Sequence, residues 1–238
     1  MAVVVTGALG GLGSSVVDAF LHDGMAVAAL DVGDPESRQV DLGHGDNLKR
    51  MWVDVTSVES VRRAADEVWS WRPATVLVNC AAITSRVDFL ELEEREWCRV
   101  VDVNLTGTFI TSQEFGRRMA AAGGGVIVNV SSTSAVIARG HLAHYAASKG
   151  GVRQLTKSMA IGLAGDGVRV IAVAPGPLER AIVGGGGVGG AQRVDRIAVG
   201  RLGLYSEVAA AIKFLASDEC AFATGTSFYI DGGMTSAL

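Results

Sequence analysis

Short apolar runs, rich in valine and isoleucine, alternate along this chain with stretches of helical period, and that alternation constrains the fold more than any other feature. Residues 2–6, 26–31, 51–55, 75–81, 125–132, 168–175 and 227–233 read as strands, while 12–22, 57–71, 94–122, 144–164 and 206–217 read as helices. A polar, glycine-containing stretch separates the second strand from about residue 49. Strands that are apolar along their whole length are buried on both faces, which points to a parallel sheet with helices above and below. The expectation is an α/β fold: a Rossmann-like, doubly wound parallel sheet of about seven strands with helices on both faces. A chain of 238 residues with 49% hydrophobic content can bury one sizeable core. No proline-rich or serine-rich linker divides it, so residues 1–238 are expected to form a single domain.

The first strand runs into TGALGGLG at residues 6–13, with glycines at Gly7, Gly10, Gly11 and Gly13, and then into a helix. Glycines there permit a tight turn and let a pyrophosphate approach the backbone, while the helix N-terminus offers N–H groups and a favourable dipole. The same glycines would serve a merely tight turn. Asp31 makes the difference: eighteen residues after Gly13 it closes the second strand, where a carboxylate can accept hydrogen bonds from an adenosine ribose. Ala8, Leu9, Gly10 and Val32 supply no cation for a 2′-phosphate, which the carboxylate would repel. NAD is favoured over NADP.

Tyr145 and Lys149 are four residues apart and share one face of a helix, so the ammonium can sit beside the phenol. A tyrosine base working near pH 7 needs its pKa lowered from about 10 by about 3 units, or about 4 kcal/mol, and a fixed positive charge is the obvious means. Such a pair alone is common on surface helices. Here Ser132 precedes the tyrosine by thirteen residues and ends the apolar run VIVNVSS, at the strand edge where α/β folds bind ligands.

With these motifs in this order, the chain resembles the short-chain dehydrogenases/reductases of the smaller, single-domain kind, from residue 2 to about 234. TGALGGLG resembles the family's TGxxxGxG, Asp54–Val55 its adenine-contacting pair, and NCAA at 79–82 its NNAG. The likeness continues through VNLTGTF, Ser132, YAASK, Pro175–Gly176, GRLGLYSEVA and the DGG near the C-terminus. The resemblance implies a catalytic tetrad of Asn104, Ser132, Tyr145 and Lys149. It implies cofactor contacts from Thr6, Gly7, Leu9, Gly10, Gly11, Leu12 and Gly13, and from Asp31, Asp54, Val55, Asn79, Ala81, Ala82 and Val103. Tyr145, Lys149, Pro175, Gly176 and Leu178 complete that set. Tyr145 would exchange the alcohol proton, Ser132 hold the substrate oxygen, and Lys149 favour the phenolate while bonding the nicotinamide ribose. Asn104 would hold a water in a proton relay, or be a buried asparagine satisfied by backbone in a bent helix. Ser131 is the rival to Ser132. Asn79 would steady the central sheet. Two departures stand out: Arg180 occupies the place of the family's usual threonine, and VGGGGVGG at 183–190 replaces its substrate lid with a run expected to be mobile.

The formal net charge of -4 without a basic cluster argues against a nucleic-acid partner. No apolar segment is long enough to span a bilayer and no leader precedes MAVVVTG, so no membrane association and a cytoplasmic location are expected. Cys80, Cys98 and Cys220 suit neither a disulfide framework nor a zinc site, and His22, His44, His141 and His144 lack metal-like spacing, so no metal is expected. The reading is an NAD-dependent enzyme interconverting a small or medium secondary alcohol and its ketone. An NADPH-type 3-oxoacyl reductase and a catalytically silent NAD-binding subunit or sensor are the alternatives. The resemblance further implies a homotetramer, or a dimer, built partly on helices near 100–120 and 145–164.

Overall fold

The computed structural model of the protein describes residues 1–33, 45–179 and 194–236. Its strands are β1 (Ala2–Thr6), β2 (Ala26–Asp31), β3 (Leu48–Trp52), β4 (Ala74–Asn79), β5 (Gly125–Val130), β6 (Val168–Pro175) and β7 (Ser227–Ile230). All pairings are parallel, in the order β3-β2-β1-β4-β5-β6-β7. The winding direction reverses between β1 and β4, and the carboxyl ends of strands at such a switch point leave a crevice. The helices are α1 (Gly11–His22), α2 (Val58–Trp71), α3 (Glu94–Val101), α4 (Gly107–Ala121), α5 (Ala143–Leu163) and α6 (Tyr205–Ala216).

Alternation along the strands explains why their sequences are apolar throughout. Val3 and Val5 of β1 enter a cluster with Val16, Val17 and Phe20 of α1 and Val208 and Ile212 of α6. Val4 between them packs on the opposite face with Val61, Ala64 and Val68 of α2 and Phe115 and Met119 of α4. A period of two therefore serves two cores at once. Among the described residues no helix is long and apolar enough to cross a membrane.

Two element boundaries differ from expectation. The third strand is Leu48–Trp52 and not 51–55, because its register is set by β2: Val27 pairs with Leu48 and Asp31 with Trp52. An edge strand carrying Lys49 and Arg50 has no apolar run to betray it, and Val53 adds only a final amide bond of 2.8 Å to the Asp31 carbonyl. The helix expected over 94–122 is interrupted at Asp102–Thr106 by a wide π-helical turn. That turn carries Asn104, and Thr108 donates to the Asn104 carbonyl at 2.8 Å.

Candidate active site

A cleft of about 700 Å³ opens at the carboxyl ends of the strands. On its β1 side, Gly7 turns the chain with φ 64°, and a Cβ there would lie 2.6 Å from the Ala81 Cα. A Cβ on Gly13 would lie 2.0 Å from the Gly7 carbonyl oxygen, so both glycines are required by close packing. Gly10 precedes α1, and no side chain caps that helix. The amides of its first turn thus open onto a cleft that Gly10, Gly11, Leu12 and Gly13 line.

Asp31 ends β2 with each carboxylate oxygen holding one amide, Leu9 at 2.9 Å and Gly33 at 3.1 Å. A carboxylate accepts about four hydrogen bonds, so capacity remains for ribose hydroxyls. Asp54 accepts from the amide and hydroxyl of Thr56 at 2.9 and 2.7 Å. Among the described residues Lys149 is the only cationic side chain that lines the cleft. An uncapped helix start and an acceptor at the end of β2 fit a dinucleotide.

Across the β1–β4 junction lie the residues of β5 and α5. Ser132 follows the end of β5, where its Oγ accepts from the Ser134 amide at 3.1 Å. Tyr145 and Lys149 lie on one side of α5, the Lys149 Nζ 5.9 Å from the centre of the Tyr145 ring. Lys149 is buried, donates to the Val130 carbonyl at 2.7 Å, and is pushed down to about 8 by desolvation. Burial raises the Tyr145 phenol above its ordinary 10, and a hydrogen bond with Ser132 acts the other way. At the phenol, loss of hydration outweighs the Ser132 hydrogen bond. Ser131 also lines the cleft, but its hydroxyl is engaged, donating to the Lys149 carbonyl at 3.0 Å. Cys80 lines the same cleft, but burial holds its thiol at about 12, which makes it a poor nucleophile.

Most residues expected at the cofactor line this cleft: Gly7, Leu9, Val55, Ala81, Ala82, Val103, Pro175, Gly176 and Leu178 with those already named. Thr6, Asn79 and Asn104 do not. Thr6 accepts the Ala81 amide at 3.3 Å. Asn79 belongs to a buried ladder, donating to Ser112 and Asn129 and accepting from Thr111. Asn104 is fully buried, its amide exchanging bonds of 2.8 and 3.0 Å with the Ile83 backbone and donating to Ser148 at 3.0 Å. Arg180 and the glycine run at 183–190 lie outside the described residues. Sequence reasoning missed Ile83 and Tyr205 as lining residues. Tyr205 packs so closely on the glycine turn that a Cβ on Gly11 would meet its ring at 2.6 Å, a long-range contact with no local sequence signal.

The family model described as enoyl-(acyl carrier protein) reductase matches residues 7–235. A chain described as a short-chain dehydrogenase from Bacillus anthracis superposes with a TM-score of 0.91 at 29% identity, covering 98% of this chain and 96% of that one. Cis-4-hydroxycyclohexanecarboxylate dehydrogenase of Sinomonas cyclohexanicum is 39% identical, with 98% of this chain and 95% of the relative aligned. This chain is a short-chain dehydrogenase/reductase. Another member of the family, galactitol 2-dehydrogenase (L-tagatose-forming) of Cereibacter sphaeroides, is 37% identical over 97% of this chain and 93% of the relative. As a short-chain dehydrogenase/reductase the protein is an oxidoreductase that uses a nicotinamide cofactor.

Proposed function

We infer that this protein interconverts a secondary alcohol and a ketone with NAD(H) as the hydride carrier. The observation that carries the reading is the convergence of Ser132, Tyr145 and Lys149 on one cleft that also reaches Asp31 across the sheet's switch point. The cofactor, when bound, supplies the hydride acceptor or donor. Asp31 would hold the adenosine ribose, and the first turn of α1 the pyrophosphate. Ser132 would hydrogen-bond the substrate oxygen. Tyr145 would give that oxygen a proton in reduction and remove one in oxidation. Its raised pKa keeps it in the protonated form near neutral pH, so the proton needed for reduction is in place. Lys149 is still mostly charged at pH 7 with a pKa of about 8, and that charge favours the phenolate as the proton leaves.

Two relatives are named for the dehydrogenation of hydroxyl-bearing substrates, a hydroxycyclohexanecarboxylate and galactitol, which supports a carbinol as the reacting group. The lining by Ala82, Ile83, Thr84 and Leu178 is largely apolar and suits a small or medium substrate. The test is a panel of cyclic and acyclic secondary alcohols and ketones with NAD(H) and NADP(H), followed by nicotinamide absorbance. Turnover of at least one carbinol with NAD is expected. Absence of turnover across the panel, with the cofactor demonstrably bound, would turn the reading towards a silent binding subunit.

A further inference from the structure

A chain of polar side chains runs beside the tyrosine without touching the cleft itself. His144 precedes Tyr145 on α5 and is fully buried. Its Nε2 lies 2.8 Å from Oγ of Ser85, and Ser85 donates its hydroxyl proton to Glu96 of α3. Glu96 also accepts from Nε and Nη2 of Arg99, both at 2.8 Å. Counting protons fixes the histidine tautomer. A carboxylate paired with arginine only accepts, and Ser85 has one proton, which goes to Glu96. Ser85 must then accept from His144, so Nε2 carries the hydrogen and Nδ1 is bare. Nδ1 is buried and has no hydrogen-bond partner, so a second proton there would be an unsatisfied donor in the interior.

Ser85 belongs to the segment that links β4 to α3, whose residues Ala81 to Thr84 line the cleft. The backbone of this segment is tied at Ile83 to Asn104 and at Val87, whose amide donates to the His141 carbonyl at 3.1 Å. Between those two ties the side chain of Ser85 is held from both sides, by α3 and by the start of α5.

We propose that His144 is a positioning residue: as a neutral Nε2–H donor it fixes residues 81–88 through Ser85 and Glu96, and so sets where the cleft-lining segment stands relative to the Tyr145 hydroxyl. The kinetic part rests on the alcohol–ketone reading above; the structural part does not. His144→Gln places an amide nitrogen at about the Nε2 position and keeps the donor, whereas His144→Asn places one near Nδ1. His144→Phe and Ser85→Ala remove the link altogether. Hydrogen–deuterium exchange over 81–88 should be close to wild type for Gln. It should be about tenfold faster for Asn, Phe and the Ser85 variant, the order expected when one buried hydrogen bond is lost. KM for the alcohol should rise about tenfold in the same three variants, with kcat changed less and with the Gln variant again near wild type. Unchanged exchange in both Ser85→Ala and His144→Phe would overturn the proposal, as would rescue by Asn equal to that by Gln. If no carbinol is turned over by the wild type, the exchange comparison still decides the role of His144, while the functional reading falls alone.

Discussion

Tyr145 is where burial and charge compete. Removing only its hydroxyl, Tyr145→Phe should leave the fold and NAD binding intact and lower kcat by a factor of at least about a hundred, general acid–base groups being worth about 10²–10⁴. Near-normal turnover would reject the assigned role. Because burial raises the phenol pKa, the proton-donating form dominates around neutrality. Alcohol oxidation, which needs the proton gone, should therefore accelerate as pH rises from neutral into the alkaline range, while ketone reduction should hold steady and then fall. Rate profiles in the two directions that ran parallel would exclude Tyr145 as the titrating group. Asp31 carries a separate prediction. A 2′-phosphate brings about two negative charges, and like charges about 4 Å apart repel by about 4 kcal/mol at an effective dielectric of about 20, an upper figure that salt reduces. A preference for NAD of at least about a hundredfold in kcat/KM is expected, or about 2.7 kcal/mol. Asp31→Ser combined with Val32→Arg should shrink or reverse it, and equal efficiency with both cofactors in the unmodified enzyme would displace Asp31 from the ribose.

The elements hold these residues through contacts of two kinds, and only one kind is legible in sequence. β1, β2, β4, β5 and β6 announce themselves as apolar runs because each feeds a core on both faces. β3 does not, since the adjacent Lys49 and Arg50 interrupt its apolar residues, as an edge strand permits. Gly7, Gly13, Tyr145 and Lys149 are visible because their spacing follows from local geometry, a strand-to-helix turn and one face of a helix, while Ser132 is singled out from Ser131 by the family resemblance. Tyr205 and the His144–Ser85–Glu96 chain are invisible, because Ser85 and His144 are 59 residues apart, Gly11 and Tyr205 are more remote still, and the loop carrying Ser85 meets Glu96 without helical or strand periodicity. The ladder from Ser112 through Asn79 and Asn129 to Thr156 is of this second kind, and it ties α4 and α5 to the sheet below them. Asn79→Ala would leave the Asn129 side-chain oxygen Oδ1 and the Ser112 hydroxyl each one donor short in the interior. Loss of about 1–3 kcal/mol is expected in reversible urea unfolding, with an unchanged m-value. A variant as stable as wild type would mean that the ladder contributes nothing net.

At the scale of the molecule, α5 bears Tyr145 in its first turn and, near its other end, one side of an apolar groove shared with α4. Phe109, Gly116, Met159, Gly162 and Leu163 line this groove, and Phe109 is 44% exposed. An exposed apolar strip of this kind is a common basis for association. The homo-oligomer expected from the family would use this face, packing α4 and α5 against their counterparts in a second copy. Gly162 permits a clean test, because nothing lies within 4 Å of a Cβ placed there. Gly162→Glu should thus be accommodated by the protomer itself. Across an interface the same carboxylate would be buried against apolar groups, at a cost of several kcal/mol. Sedimentation should show the wild type at a multiple of the 24.6 kDa protomer and Gly162→Glu at a lower multiple. Far-ultraviolet circular dichroism should remain native. A wild type that sediments as a single protomer would remove the assembly altogether, and a Gly162→Glu variant that assembles as fully as wild type would place the subunit contacts elsewhere.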